Sequence, residues 1–178
     1  MLAGRRIKEE EHMPDSSTHS TTDDQQAITY IDAQRLHKAL RAGIHHVLER
    51  REYINKINVF PVADSDTGTN LAFTLRSVQE ALGPQAQGNV SRLLRTAADA
   101  AVDGARGNSG AIMAQFFQGL REGARRSRRL NAKRLAAIVR RGSQSARSAM
   151  AQPVEGTLPT VLHDFSDELA DQVKRGID

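Results

Sequence analysis

From Ile31 onwards the apolar residues return every three or four positions, and nowhere do they alternate with polar residues in the two-residue rhythm of a strand. That single periodicity restricts the chain to packed helices. Leu36, Leu40, Ile44, Val47 and Leu48 form one stripe behind a plausible N-cap, Asp32, and this first helix is expected to end near Arg51. The rhythm resumes with Leu71, Leu75, Val78 and Leu82 and stops at Gly83-Pro84. A third helix is expected from about Val90 to Val102, on Leu93, Leu94, Ala97 and Ala101. A fourth begins near Ser109 and carries Ile112, Met113, Phe116, Phe117 and Leu120. A fifth carries Leu135, Ile138, Val139 and Met150, with Gly142 inside it, and a sixth runs on Leu158, Val161, Leu162, Phe165, Leu169 and Val173. The fold class is therefore all-α, with six helices. Aromatic residues make up only 4% of the chain and Trp is absent, so the core must be closed by Ala, Leu, Ile and Val, which suits tightly packed helices.

Residues 1–27 read as a disordered tail, because Met13 to Gln26 are rich in Ser, Thr, Asp and Gln without apolar periodicity. Met13 is a candidate native start. Residues 28–178 form one helical domain. With no cysteine there is neither a disulfide framework nor a thiolate metal site. No apolar run approaches a membrane span and the N-terminus lacks a secretory core, which points to the cytoplasm.

Charge is unevenly spread. Between Arg121 and Arg141 stand eight Arg and one Lys against Glu122, leaving the rest of a chain of net charge +4 slightly acidic. Such a segment is either a solvated helix face preceded by a basic loop, or a surface for nucleic acid or another anionic partner. It holds no aromatic on which bases could stack.

The chemistry is concentrated between the helices. The loop from Ile54 to Asn70 is held out of a helix by Pro61 and carries Asp64 and Asp66, with Thr67, Thr69, Asn58 and Asn70 around them. Magnesium takes hard oxygen ligands and shares itself between one or two carboxylates and the phosphates of a nucleotide. The competing reading is structural: Asp66 as a helix N-cap and Asp64 in an Asx-turn. An EF-hand is disfavoured, since its glycine and terminal Glu are not at the required spacing. A second loop, Asp103-Gly104-Ala105-Arg106-Gly107-Asn108-Ser109-Gly110, permits close approach of backbone to a ligand ahead of a helix N-terminus, a natural anion site. It lacks the Gly-Lys-Ser/Thr of a P-loop, and no strand precedes it as a dinucleotide fingerprint requires. A glycine-rich turn between helices is the alternative. His45 and His46 fall within the first helix and read as solvated or core-satisfied rather than catalytic.

Together, Asn58-Val59-Phe60-Pro61-Val62-Ala63-Asp64-Ser65-Asp66-Thr67-Gly68-Thr69-Asn70, then Gly104-Ala105-Arg106-Gly107-Asn108-Ser109-Gly110, then Pro153-Val154-Glu155-Gly156-Thr157 resemble the nucleotide-binding domain of the dihydroxyacetone kinase family. Within it they look most like the N-terminal domain of bacterial fatty acid kinase and of fusions to a DegV-type domain. The resemblance implies an antiparallel helical barrel whose rim loops hold ATP and two magnesium ions. It assigns metal binding to Asp64 and Asp66, with Asn58 the nearest match to a third ligand. Thr67, Thr69, Asn70, Arg106, Gly107, Asn108, Ser109, Gly110, Gly156 and Thr157 are then placed about the nucleotide. The acceptor, a fatty acid carboxylate or dihydroxyacetone, is presented by another domain or subunit.

Two departures stand out. The family has Asp-Gly-Asp where this chain has Asp64-Ser65-Asp66, and its barrel has eight helices against six here. The chain is accordingly expected to be a piece of a longer protein, to expose an apolar inner face that favours a homodimer, and to bind nucleotide weakly without transferring phosphate alone.

Overall fold

The computed structural model describes residues 29–59, 63–150 and 154–176; the expected tail at 1–27 lies outside them. Seven helices follow one another: α1 (Ala33–Glu49), α2 (Arg51–Ile57), α3 (Thr67–Leu82), α4 (Val90–Asp103), α5 (Gly107–Gly123), α6 (Ala132–Ser148) and α7 (Leu158–Lys174). Among the described residues there is no strand, only an isolated bridge between Ile31 and Leu130. No helix there is long and apolar enough to cross a membrane.

The expected stripes of α3, α4, α5 and α6 form the core, whereas Val161 and Phe165 from the expected stripe of the last helix are exposed. Leu71, Leu75, Val78 and Leu82 of α3 meet Leu93, Leu94, Ala97 and Ala101 of α4, Ala114, Phe117 and Leu120 of α5, and Ile138 and Val139 of α6, all buried. Each such Leu, Ile, Val or Phe contributes about 1.5–3 kcal/mol by leaving water. Small residues bring α5 and α6 together: a Cβ on Gly119 would lie 2.6 Å from the Arg141 carbonyl oxygen and the Gly142 Cα. Successive long helices run antiparallel. Gly119 beside Gly142 and Gly123 beside Ile138 fix α5 against α6. The buried group Ile112, Ala146 and Leu162 fixes the start of α7 beside the start of α5. The contact of His37 Nε2 with the Gly83 carbonyl (3.1 Å) sets the start of α1 at the end of α3.

Several boundaries differ from the sequence expectation. The count is seven rather than six, because the first helix breaks at Arg50 and continues as α2 to Ile57, where a loop was expected from Ile54. A tertiary contact holds this seven-residue helix: Asn55 accepts from the Thr69 amide (3.1 Å) and donates to the Thr69 hydroxyl (3.0 Å). Thr67 to Asn70, expected in the loop, form the first turn of α3, and α5 begins at Gly107 rather than near Ser109. Met150 lies past the end of α6.

The basic segment resolves into two parts. On the helices, Arg121 pairs with Asp99 (2.7 Å), Arg141 with Glu122 (2.7 Å) and Arg140 with Asp167 (3.6 Å). These are exposed pairs, each worth at most about 1 kcal/mol. The loop arginines between α5 and α6, Arg125, Arg126, Arg128 and Arg129, are exposed, with Arg129 over the Tyr30 ring. His45 and His46 are exposed beside Glu49, whereas among the described residues the buried histidine is His37, which the apolar pattern did not mark.

Candidate nucleotide and metal site

The antiparallel order delivers the starts of α3, α5 and α7 to one end of the bundle, and with them all three sequence motifs. Phe60, Pro61 and Val62, and Pro153, fall outside the described residues.

Asp64, Ser65 and Asp66 are exposed at this end. Asp66 occupies the N-cap position of α3, yet its side chain makes no capping bond. The Thr69 amide, which such a cap would take, is held instead by Asn55 from α2. The Asp66 carboxylate is thereby left for something other than capping, against the structural reading of that residue. Ser65 has φ +54°, the left-handed region that glycine enters freely and other L-residues enter at about 1–2 kcal/mol. The backbone between the aspartates thus takes a glycine-type conformation although the residue is serine.

A chain of hydrogen bonds ties the first loop to the second. Ser109 Oγ donates to Thr67 Oγ1 (3.3 Å), Thr67 donates to Asn58 Oδ1, and Asn58 Nδ2 donates to Asp64 Oδ1 (2.8 Å). Asn70 and Thr74 lie beneath the second loop. Gly107, at φ +57°, runs so close that a Cβ would stand 2.2 Å from Asn70 Nδ2. A Cβ on Gly110 would stand 2.5 Å from Thr74 Oγ1. Arg106 takes the N-cap position of α5 in an extended conformation, but its side chain cannot accept a bond; it donates instead to the Ala105 carbonyl (2.8 Å). The first-turn amides of α5, beside exposed Asn108 and half-buried Ser109, therefore have no side-chain cap.

The third motif begins α7. Gly156 has φ +79°, and the Thr157 hydroxyl donates to the Val154 carbonyl (2.6 Å) rather than capping. Glu155 accepts from the Thr160 hydroxyl (2.9 Å) and pairs with Arg147 (3.2 Å), which together hold its carboxyl below the ordinary value. The first two motifs are in direct contact; the third shares their end of the bundle without a hydrogen bond to either among the described residues.

Asn55, Thr74 and Ser77 are supporting residues that sequence reasoning missed. Thr74 is fully buried and donates to the Asn70 carbonyl (3.0 Å), and Ser77 fills the space over Gly104. The small-residue positions Gly104 and Gly110 were the only signal of Ser77 and Thr74.

A family model, the DAK2 domain, matches residues 61–178, two thirds of the chain. The chain belongs to the DAK2-domain family. DAK2 domains are the nucleotide-binding part of the dihydroxyacetone kinase family, and the all-helical architecture agrees with that membership. An uncharacterized protein of Staphylococcus saprophyticus is 33% identical over 140 residues, which is 79% of this chain and 25% of the relative. Uncharacterized proteins of Staphylococcus aureus strains USA300 and NCTC 8325 are 33% identical over 137 residues, 77% of the chain and 25% of each relative. This DAK2 chain thus spans about a quarter of the length of these curated relatives.

The donor set of this DAK2 domain suits magnesium. Among the described residues no group of three or more His, Asp or Glu gathers as a metal cage. Two exposed carboxylates on an irregular backbone are what a cation shared with phosphates and water requires.

Proposed function

We propose that the chain binds ATP with magnesium at the end of the bundle where α3, α5 and α7 begin, and serves phosphoryl transfer to an acceptor carried by another domain or subunit. The observation that carries this reading is the hydrogen-bonded run Ser109–Thr67–Asn58–Asp64, which couples the acidic loop to the uncapped N-terminus of α5. Asp64 and Asp66 are the proposed metal ligands, with Asn58 orienting Asp64 rather than competing for the ion. The α5 amides, Asn108 and Ser109 then face phosphate oxygens, with Gly107 and Gly110 allowing the approach. Thr67, Thr69, Asn70 and Arg106 shape the pocket wall, and Gly156 and Thr157 its far side.

Phosphoryl transfer needs alignment and charge neutralisation more than covalent chemistry from the protein, and bound magnesium supplies the neutralising charge. The side chains of this chain accordingly position and hold; none needs to act as a nucleophile. A fatty acid carboxylate or a dihydroxyacetone-type hydroxyl is the proposed acceptor class, presented by a DegV-like or dihydroxyacetone-binding partner in the cytoplasm. Self-association belongs to the same proposal, through Val161 and Phe165 of α7, which are 62% and 53% exposed. The pairing of Arg121, Arg140 and Arg141 with acids weighs against a nucleic-acid module built on the helices of the basic segment.

The test is calorimetric titration of the chain and of Asp64→Asn and Asp66→Asn with magnesium and ATP. Each variant is expected to lose about 100-fold or more in affinity, at the upper end of what a site's supporting groups cost, with unchanged helix content. Equal affinity in all three proteins would remove the metal assignment.

A further inference from the structure

Four arginines stand within five residues of the α5–α6 connection: Arg125, Arg126, Arg128 and Arg129, all exposed. The loop that carries them is fixed. Ile31 and Leu130 exchange both backbone hydrogen bonds (2.7 and 2.8 Å), and the Ser91 amide donates to the Ser127 carbonyl (3.0 Å). Arg126 is held at φ +64°. Unlike Arg121, Arg140 and Arg141, the side chains of Arg125, Arg126 and Arg128 meet no acid among the described residues. Beside them lies a groove of about 620 Å³, lined by Tyr30, Asp32, Gly88, Asn89, Arg128 and Arg129. Asp32 does not neutralise the loop, because it caps the Arg35 amide (2.9 Å) and pairs with the Arg35 guanidinium (3.8 Å).

A rigid loop with so much unopposed charge calls for an anion. Stacked bases fit poorly: Tyr30 is the aromatic of the groove, and its ring already carries the guanidinium groups of Arg129 at 4.4 Å and Arg35 at 5.3 Å. The chain itself supplies a better match. Residues 9–28, outside the described part, contain Glu9, Glu10, Glu11, Asp15, Asp23 and Asp24 and neither Lys nor Arg. They join the fold at Thr29-Tyr30, directly beside the arginine loop. Asp24 is six residues from Tyr30, a reach of at most about 20 Å at full extension, and a short tether supplies an effective concentration near the millimolar range.

We propose that the acidic segment 9–28 docks on the arginine loop 125–129 and its groove, occupying the basic surface at the end of the bundle remote from the nucleotide site. Docked, it competes with outside polyanions for the same guanidinium groups.

The absence of cysteine makes the test direct. A nitroxide on Ser17→Cys of the full chain is read by its broadening of backbone amide signals from Ser127 to Leu130. Tethering alone gives broadening that ignores salt and charge. Docking predicts broadening that falls several-fold in 1 M salt, where the screening length shrinks to about 3 Å, and falls likewise when Asp23→Lys and Asp24→Lys are added. A fluorescent polyanionic oligosaccharide should bind the full chain about ten-fold more tightly once the six acids are neutralised to Gln and Asn. Broadening indifferent to both salt and charge reversal, or oligosaccharide affinity unchanged by neutralisation, would overturn the proposal.

Discussion

Of the six long helices, three begin under side-chain caps at one end of the bundle, and three begin without a cap of their own at the other. Asp32, Asn89 and Asn131 each accept from the amide three residues on, at 2.9, 3.0 and 2.8 Å, and so close the starts of α1, α4 and α6. Asp66, Arg106 and Thr157 stand at the same positions of α3, α5 and α7 and make no such bond. Position in the antiparallel order decides which end a helix start reaches, and residue type decides what it does there. At the capped end the orphan amides are satisfied within the chain and contribute stability. At the other end the Thr69 amide of α3 is held by Asn55, while the first-turn amides of α5 have no side-chain partner; on the proposed function these face an anion beside the exposed carboxylates of Asp64 and Asp66. On the proposed function, the two ends divide stability from binding.

That contrast can be broken by substitution. The largest effect within the fold is expected from Gly107→Ala, where both the positive φ and the 2.2 Å approach to Asn70 Nδ2 oppose a side chain. A loss of about 2–3 kcal/mol, at the upper end of what backbone strain costs, should appear in thermal melting, together with weaker nucleotide binding as Asn70 is displaced. At the capped end, Asn131→Ala should cost about 1 kcal/mol, a shift of about 2–4 °C in Tm for a domain of this size. Its affinity for nucleotide should not change. The smallest effect is the sharpest comparison. Arg106→Ser places a capping hydroxyl where α5 has none, so it should raise stability by a few tenths to about 1 kcal/mol relative to Arg106→Ala, while binding nucleotide more weakly than that alanine variant. If the serine gains stability without losing affinity, the α5 amides are not the phosphate site.

Much of this was legible in the sequence, for reasons that differ by region. The stripes on Leu71, Leu75, Val78 and Leu82 and on Leu93, Leu94, Ala97 and Ala101 name core positions because helix period and burial coincide there. The break at Arg50 and the extra helix α2 were not legible. Asn55 holds that helix through Thr69, fourteen residues away, and local propensity carries no trace of the contact. Asp64, Asp66, Asn108 and Ser109 stood out because polar and small residues cluster there without periodicity. What the sequence hid was their connection through Thr67 and Asn58, a matter of geometry between α3 and α5. At Ser65, where the family resemblance has glycine, the backbone takes the left-handed region that glycine enters freely, which the sequence did not disclose.

The division between the two ends is tested most directly by titrating magnesium and ADP, up to millimolar concentrations, into the isotope-labelled chain while following every backbone amide. The account predicts shifts at Asp64, Asp66, Thr67 and the Asn108–Gly110 turn, with the capped amides of Arg35, Arg92 and Arg134 unmoved. Shifts centred on those capped amides and the arginine loop, with the turn at Asn108 silent, would contradict it.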